Sequence, residues 1–119
     1  MDTRLFLRFE ALAVLIAAGV GYHWNGGGIL LFALLLFAPD LSSAGYLLGD
    51  EVGAFTYNLA HVYTWPLALI GVGLWSGAAL ATSGGLVWLF HVGMDRSIGY
   101  GLKEESFRDT HLGRIGRSE

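Results

Sequence analysis

The fold of this chain is decided by the stretch Trp88-Leu89-Phe90-His91-Val92-Gly93-Met94-Asp95-Arg96-Ser97-Ile98-Gly99-Tyr100-Gly101-Leu102-Lys103. It begins as an apolar helix and ends in a basic, polar segment. His91 and Asp95 are four residues apart, so on a helix their side chains share one face, about 6 Å apart along the axis. An imidazole and a carboxylate in that register can share a hydrogen bond, a proton or a metal ion. Because the surrounding residues are apolar enough for a membrane span, this polar pair is costly and indicates a specific role.

The composition is that of a membrane protein. The chain has 119 residues, of which 54% are hydrophobic and 14% charged, whereas soluble domains carry about a quarter charged residues. This length predicts one domain with room for about four spans of about 20 residues each. The net charge of −3 gives no indication of a nucleic-acid partner, and the absence of cysteine excludes disulfides and thiolate metal sites.

The apolar runs and turn residues predict an all-α, polytopic membrane protein with four transmembrane helices. The predicted spans are, in chain order, 4–24, 29–48, 52–81 and 86–100. The first is interpreted as a retained helix, because it is long for the apolar region of a signal peptide. Pro39 breaks the second span, Pro66 divides the third, and the turn 82–85 precedes the fourth. Residues 1–102 then form the transmembrane domain, and residues 103–119 form a charged tail that is too polar to insert.

The distribution of positive charges predicts the orientation of the chain in the membrane. All Lys and Arg residues lie near the two chain ends: Arg4, Arg8, Arg96, Lys103, Arg108, Arg114 and Arg117. By the positive-inside rule, both termini are cytoplasmic and the lipid bilayer of the cell membrane is the main partner. Small-residue spacings such as Gly45-xxx-Gly49 and Gly73-xxx-Gly77 allow close helix approach, either within one chain or in a homo-oligomer.

In this frame, the intramembrane polar residues of all four helices fall in the middle or the cytoplasmic half of the membrane. Each ionised residue at that depth costs about 2.5–3.5 kcal/mol, so the groups are expected to meet. Two histidines and two aspartates suit a divalent metal such as zinc, manganese or iron. The predicted metal ligands are Asp40, His61, His91 and Asp95, and the predicted catalytic residues are Glu10, Tyr57 and Arg96. Arg96 would sit beside the metal and meet an anionic group.

Four alternatives stay open at the level of sequence. The same polar residues would serve as a structural network that fastens helices together, or as part of a proton-coupled path. Glu10 would also be accommodated at the interface by pairing with Arg8. Asp40 would also be favoured simply by the macrodipole in the first turn of a helix that starts at Pro39.

Several segments resemble a known family. Phe37-Ala38-Pro39-Asp40-Leu41-Ser42, Gly45-Tyr46, Tyr57-Asn58-Leu59-Ala60-His61-Val62-Tyr63 and Pro66 are similar to the first half of an uncharacterised, mostly bacterial membrane family, domain of unknown function 4260. The fourth helix through Lys103, with Thr110-His111-Leu112-Gly113, is similar to its second half. This resemblance covers almost the whole chain and implies membrane location.

A second resemblance implies chemistry. The order Pro-Asp, a helix with a central histidine, then His-x-x-x-Asp resembles membrane-bound metal-dependent hydrolases of the inner-membrane type. It implies that Asp40, His61, His91 and Asp95 match ligand positions and that the substrate is a lipid or phosphoester. Those hydrolases commonly carry a second acidic residue after Pro-Asp and a Thr-His-Ser step, where this chain has Leu41-Ser42 and His61-Val62-Tyr63. These departures concern catalysis more than metal binding, so whether the protein is an enzyme stays open.

Overall fold

A computed structural model describes residues 3–99 and, beyond them, two short strands. In chain order the elements are α1 (Thr3–Asn25), α2 (Ile29–Leu35), a 3₁₀ helix (Ala38–Leu48), α3 (Asp50–Ala60), α4 (Thr64–Ser76), α5 (Ala79–Ser97), β1 (Asp109–Thr110) and β2 (Gly113–Arg114). The two strands pair antiparallel, and the rest of the predicted tail 103–119 lies outside the described residues. Residues 3–99 are helical, as predicted.

Helix α5 is the centre of the bundle. It packs along α1 and α4 and also touches α2 and the 3₁₀ helix, while α3 packs against the 3₁₀ helix. Glycines set the closest approaches: a Cβ added at Gly93 would lie 3.0 Å from the carbonyl oxygen of Ala11 on α1. His91, Val87 and Val92 on α5 are fully buried. The small residues thus let other helices pack closely on several faces of α5, and His91 is buried among them.

The second predicted span is broken at Pro39, as expected. Helix α2 ends at Leu35, and the 3₁₀ helix starts at Ala38 with Pro39 in its first positions. Proline has no N–H, which costs nothing in the first turn of a helix, where this donor has no partner. Asp40 therefore lies in the first turn of the 3₁₀ helix. Because most 3₁₀ helices are short, this one of 11 residues marks an unusual backbone beside Asp40.

The division of the third predicted span lies earlier than expected. Helix α3 ends at Ala60, α4 begins at Thr64, and Pro66 sits in the first turn of α4. A proline inside a helix clashes with the carbonyl four residues before it, so the helix has to stop ahead of the proline rather than at it. The prediction of a span over 52–81 is thus replaced by two short helices, and the break falls at residues 61–63.

The predicted start of the fourth helix was wrong. Residues 82–85 were expected to turn, but they lie inside α5, which begins at Ala79. The turn is formed instead by Gly77, whose left-handed backbone (φ 75°) closes α4. Gly85 is needed for packing: a Cβ there would lie 3.0 Å from the Pro66 carbonyl oxygen of α4.

Two stretches of the described residues, Thr3–Asn25 and Ile29–Leu48, have the length and hydropathy of a membrane span. Both expose large apolar side chains, with Ile29 83% and Leu47 88% accessible. Helices α3 and α4 are each too short to cross alone, since a span needs about 20 residues. Two candidate spans are therefore shown.

Candidate metal centre

Four polar side chains from three different elements converge at the centre of the protein. Asp40 comes from the first turn of the 3₁₀ helix, and His61 caps the C-terminal end of α3. His91 and Asp95 come from successive turns of α5. One ligand atom from each of the four lies within 4.8 Å of the others. The residues that the sequence indicated as ligands therefore form one cluster that could hold a metal ion.

The separations within this cluster fit a coordination sphere. The Nε2 atoms of His61 and His91 are 3.2 Å apart. Asp40 Oδ1 lies 3.2 Å from Nε2 of His61 and 3.1 Å from Nε2 of His91. Asp95 Oδ2 lies 3.1 Å from Nε2 of His91 and 3.6 Å from Nε2 of His61. A metal with bonds of about 2.0–2.2 Å separates adjacent ligand atoms by about 3.0 Å in octahedral and about 3.4 Å in tetrahedral geometry, which brackets most of these values.

The orientation of His61 is set by the helix that carries it. Its Nδ1–H donates to the carbonyl oxygen of Tyr57, one turn earlier, over 2.7 Å. This hydrogen bond leaves the lone pair on Nε2, which points into the cluster. The Tyr57 ring stacks on the imidazole at 3.8 Å, and its hydroxyl lies 3.5 Å from Asp95 Oδ2. Tyr57, predicted as catalytic, thus contacts two of the four candidate ligands.

His91 is completely buried, and its Nε2 lies between both carboxylates. Its Nδ1 has no hydrogen-bond partner of good geometry among the described residues, although the backbone of Leu36 also interacts with this ring. The ring of Phe37 meets the imidazole edge-on, with centroids 6.3 Å apart. A buried imidazole in these surroundings gains its main polar interactions through Nε2, inside the cluster.

The cluster contains several hydrogen-bond acceptors close together. With the proton of His61 on Nδ1, its Nε2 is an acceptor, and both carboxylates are acceptors when ionised. Groups of this kind repel at about 3 Å in a buried setting unless a cation or a shared proton lies among them. The arrangement therefore needs either a metal ion or a proton among these atoms, for example on Nε2 of His91, which lies 3.1 Å from Asp40 Oδ1 and from Asp95 Oδ2.

One side of the cluster is open. The side chain of Asp40 is 45% exposed, against 0–13% for the other three. The two residues before Asp40, Ala38 and Pro39, line a mainly apolar cavity of about 340 Å³ together with Leu35, Leu69, Gly84 and Trp88. Asp40 is therefore the member of the cluster that is most accessible from outside.

The other predicted catalytic residues lie outside the cluster. Arg96 donates from Nη2 to the His61 carbonyl oxygen over 3.2 Å, and its guanidinium lies 4.4 Å from the centre of the Tyr63 ring. It thereby contacts the backbone that carries His61. Glu10 is exposed on α1 and is not one of the cluster residues.

Sequence reasoning missed Trp88 as a supporting residue. Its Nε1–H donates to the carbonyl oxygen of Ala60 over 2.7 Å, which fastens α5 to the end of α3 directly before His61. The sequence signal that could have indicated Trp88 was its position three residues before His91, on the same face of the helix.

We expect Trp88→Phe to lower the free energy of unfolding by about 1 kcal/mol, the usual net value of one hydrogen bond. Denaturant titration in detergent measures this. Trp75→Phe is the matched control, because Trp75 is 89% exposed, and an equal loss in both variants would contradict the role of Trp88.

Comparison with known proteins identifies the family of this chain, but no individual curated protein or solved structure. Searches among curated proteins and among solved structures give no match. The family model described as Domain of unknown function (DUF4260) matches residues 4–115. Because this match covers nearly the whole chain, including all four residues of the cluster, the protein belongs to that family of unknown function.

Proposed function

We propose that this protein is an integral membrane protein that binds a divalent metal through Asp40, His61, His91 and Asp95. The observation that carries the proposal is the convergence of four ligand atoms, with the tautomer of His61 already set by Tyr57. Two imidazoles and two carboxylates suit zinc, manganese or iron. The structural polar network is the alternative, because the same separations also permit hydrogen bonds if His91 is protonated.

The membrane setting is supported by the two apolar segments and by their exposed side chains. In the proposed topology, α1 and α5 each cross the bilayer, while α2 with the 3₁₀ helix, and α3 with α4, form two broken crossings. Broken helices at membrane depth occur where the backbone lines a site. This topology places both termini on the cytoplasmic side of the cell membrane, as the distribution of Lys and Arg predicts.

The proposed activity is hydrolysis of a lipid or a phosphoester. A bound divalent metal would supply a Lewis acid that activates water. The chain itself supplies access: Asp40 is the most exposed ligand, and the apolar cavity lined by the two residues before it, Ala38 and Pro39, suits the hydrocarbon part of a substrate. Tyr57 keeps His61 and Asp95 in place through its carbonyl oxygen and its hydroxyl.

Elemental analysis of the detergent-purified protein tests the metal centre. We expect close to one transition metal per chain after reconstitution with zinc or manganese, and loss of that metal in His91→Ala and Asp95→Ala. The matched controls are His23→Ala and Asp50→Asn, because both residues are exposed and lie outside the cluster. Folded wild type that stays metal-free after reconstitution would reject the metal centre and favour the structural network.

A further inference from the structure

Two side chains of α5 pair with backbone carbonyl groups at the C-terminal end of α3, where His61 lies. The Ala60 carbonyl oxygen accepts from Trp88 Nε1 over 2.7 Å, and the His61 carbonyl oxygen accepts from Arg96 Nη2 over 3.2 Å. The last carbonyl groups of a helix have no partner within it, and leaving one unpaired when it is buried is costly. His61 is only 3% exposed. Helix α5 therefore supplies the donors that the end of α3 needs.

Arg96 contacts both sides of the break between α3 and α4. The break comprises residues 61–63: His61 follows the last residue of α3, and Tyr63 precedes the first residue of α4. The guanidinium donates to the His61 carbonyl oxygen and lies 4.4 Å from the centre of the Tyr63 ring. The helix dipole favours a cation at the C-terminal end of α3, and the aromatic ring attracts the same cation. One planar group thus holds both ends of the break against α5.

This contact links His61 to the two candidate ligands on α5. Arg96 directly follows Asp95, and the same helix carries His91. His61 Nε2 lies 3.2 Å from His91 Nε2 and 3.6 Å from Asp95 Oδ2. The hydrogen bond of His61 to Tyr57 orients the imidazole, but both of these residues belong to the same end of α3 and move together. The separation between His61 and the ligands on α5 therefore depends on contacts between the helices, such as that of Arg96.

We propose that Arg96 is a positioning residue of the metal centre, which holds the backbone of His61 against α5 so that Nε2 stays close to His91 and Asp95. This role rests on the proposed metal binding. It is not a catalytic role, because Arg96 acts through the carbonyl oxygen of a ligand residue rather than on the metal or a substrate. Replacement of residues that orient metal ligands typically weakens metal affinity by about 10–100-fold.

Cobalt(II) binding to the full chain in detergent tests this role, because the visible spectrum of bound cobalt reports the geometry of its ligands. We expect Arg96→Met, which removes the guanidinium, to bind cobalt about 10–100-fold more weakly than wild type. Its cobalt spectrum should also differ from that of wild type at equal helical content by circular dichroism. Arg96→Lys keeps a cationic donor but not the planar group, so it should recover part of the lost affinity.

Arg8→Met is the matched control. Arg8 is also partly buried, and its guanidinium lies close to Gly99, just after the end of α5. This variant removes an arginine near the same end of α5 but leaves the guanidinium that contacts His61 and Tyr63. Its cobalt affinity and spectrum should match those of wild type. Equal weakening in Arg8→Met and Arg96→Met would contradict a specific role of Arg96.

The spectrum separates positioning from a purely structural role. If Arg96 only stabilises the end of α3, Arg96→Met melts at a lower temperature but binds cobalt with the wild-type spectrum and affinity, and the proposal is overturned. If Arg96→Met does not fold, Tyr63→Leu takes its place, because it removes the ring beside the guanidinium and should weaken cobalt binding in the same direction. Wild-type binding in both Tyr63→Leu and Arg96→Lys would then overturn the proposal.

Failure of the metal centre gives a different result. Wild-type protein that binds neither cobalt nor zinc would reject the metal centre itself, and the positioning role with it. Wild-type protein that binds cobalt, loses it in His91→Ala and keeps it unchanged in Arg96→Met would support the metal centre and reject the role of Arg96 alone.

Discussion

Metal should raise the thermal stability of the wild-type protein, and His91→Ala should abolish that increase. A ligand that binds only the folded state at a hundredfold excess over its dissociation constant adds about 2.7 kcal/mol of stability. For a chain of this size, that corresponds to a rise in Tm of about 10 °C. The cluster is assembled by folding from three elements, so the unfolded chain has no comparable site. Melting curves in detergent, with zinc and with a chelator, measure the difference.

The structural alternative makes a different prediction for the same variant. If His91 only fastens helices together, His91→Ala loses stability because a fully buried side chain is removed. That loss would be equal with zinc and with chelator, and the wild type would melt at one temperature in both. His23→Ala is the control for nonspecific binding of zinc to histidine, because His23 is exposed on α1.

Two adjacent glycines of α5 should respond in opposite directions to the same substitution. A Cβ at Gly85 would lie 2.7 Å from Ile70 Cγ1, 2.9 Å from Ile70 N and 3.0 Å from the Pro66 carbonyl oxygen. Two of these atoms are backbone, so α4 and α5 have to separate. We expect Gly85→Ala to destabilise the protein by about 1–3 kcal/mol, the usual cost of overpacking.

Gly84→Ala is the matched control. The nearest atom to its added Cβ would be Leu69 Cδ2 at 3.9 Å, an ordinary contact. Because alanine is favoured over glycine within helices, Gly84→Ala should be neutral or stabilising by up to about 1 kcal/mol. Denaturant titrations of both variants measure the pair. A destabilised Gly84→Ala beside an unaffected Gly85→Ala would contradict the packing of α5 on α4.

The four candidate ligands were found from sequence because burial of polar groups in an apolar chain is costly wherever the fold places them. His91 and Asp95 share a face through their spacing alone. Asp40 was recognised as a candidate because the proline before it predicts a break in the helix. His61 was marked by its position within an apolar helix, although the structure places it at the end of α3 rather than in its interior.

The supporting residues were harder to predict, because their roles depend on contacts between distant segments. The hydrogen bond from Trp88 to Ala60 joins α5 to α3, and the guanidinium of Arg8 on α1 lies close to Gly99, just after the end of α5. For Glu10 the sequence left two positions open, one turned inward and one at the interface, and the structure exposes it on α1.

The sequence by itself determined the helical class, the membrane-like composition, the break at Pro39 and the set of residues able to bind a metal. These follow from local rules: hydropathy, the missing N–H of proline and the donor chemistry of side chains. Only the tertiary structure decided where α4 ends and α5 begins, and how closely α1 and α4 pack on α5. The packing depends on Gly85, which lies against α4, and on Gly93, which lies against α1, because the absence of a side chain at these positions lets the neighbouring helix approach.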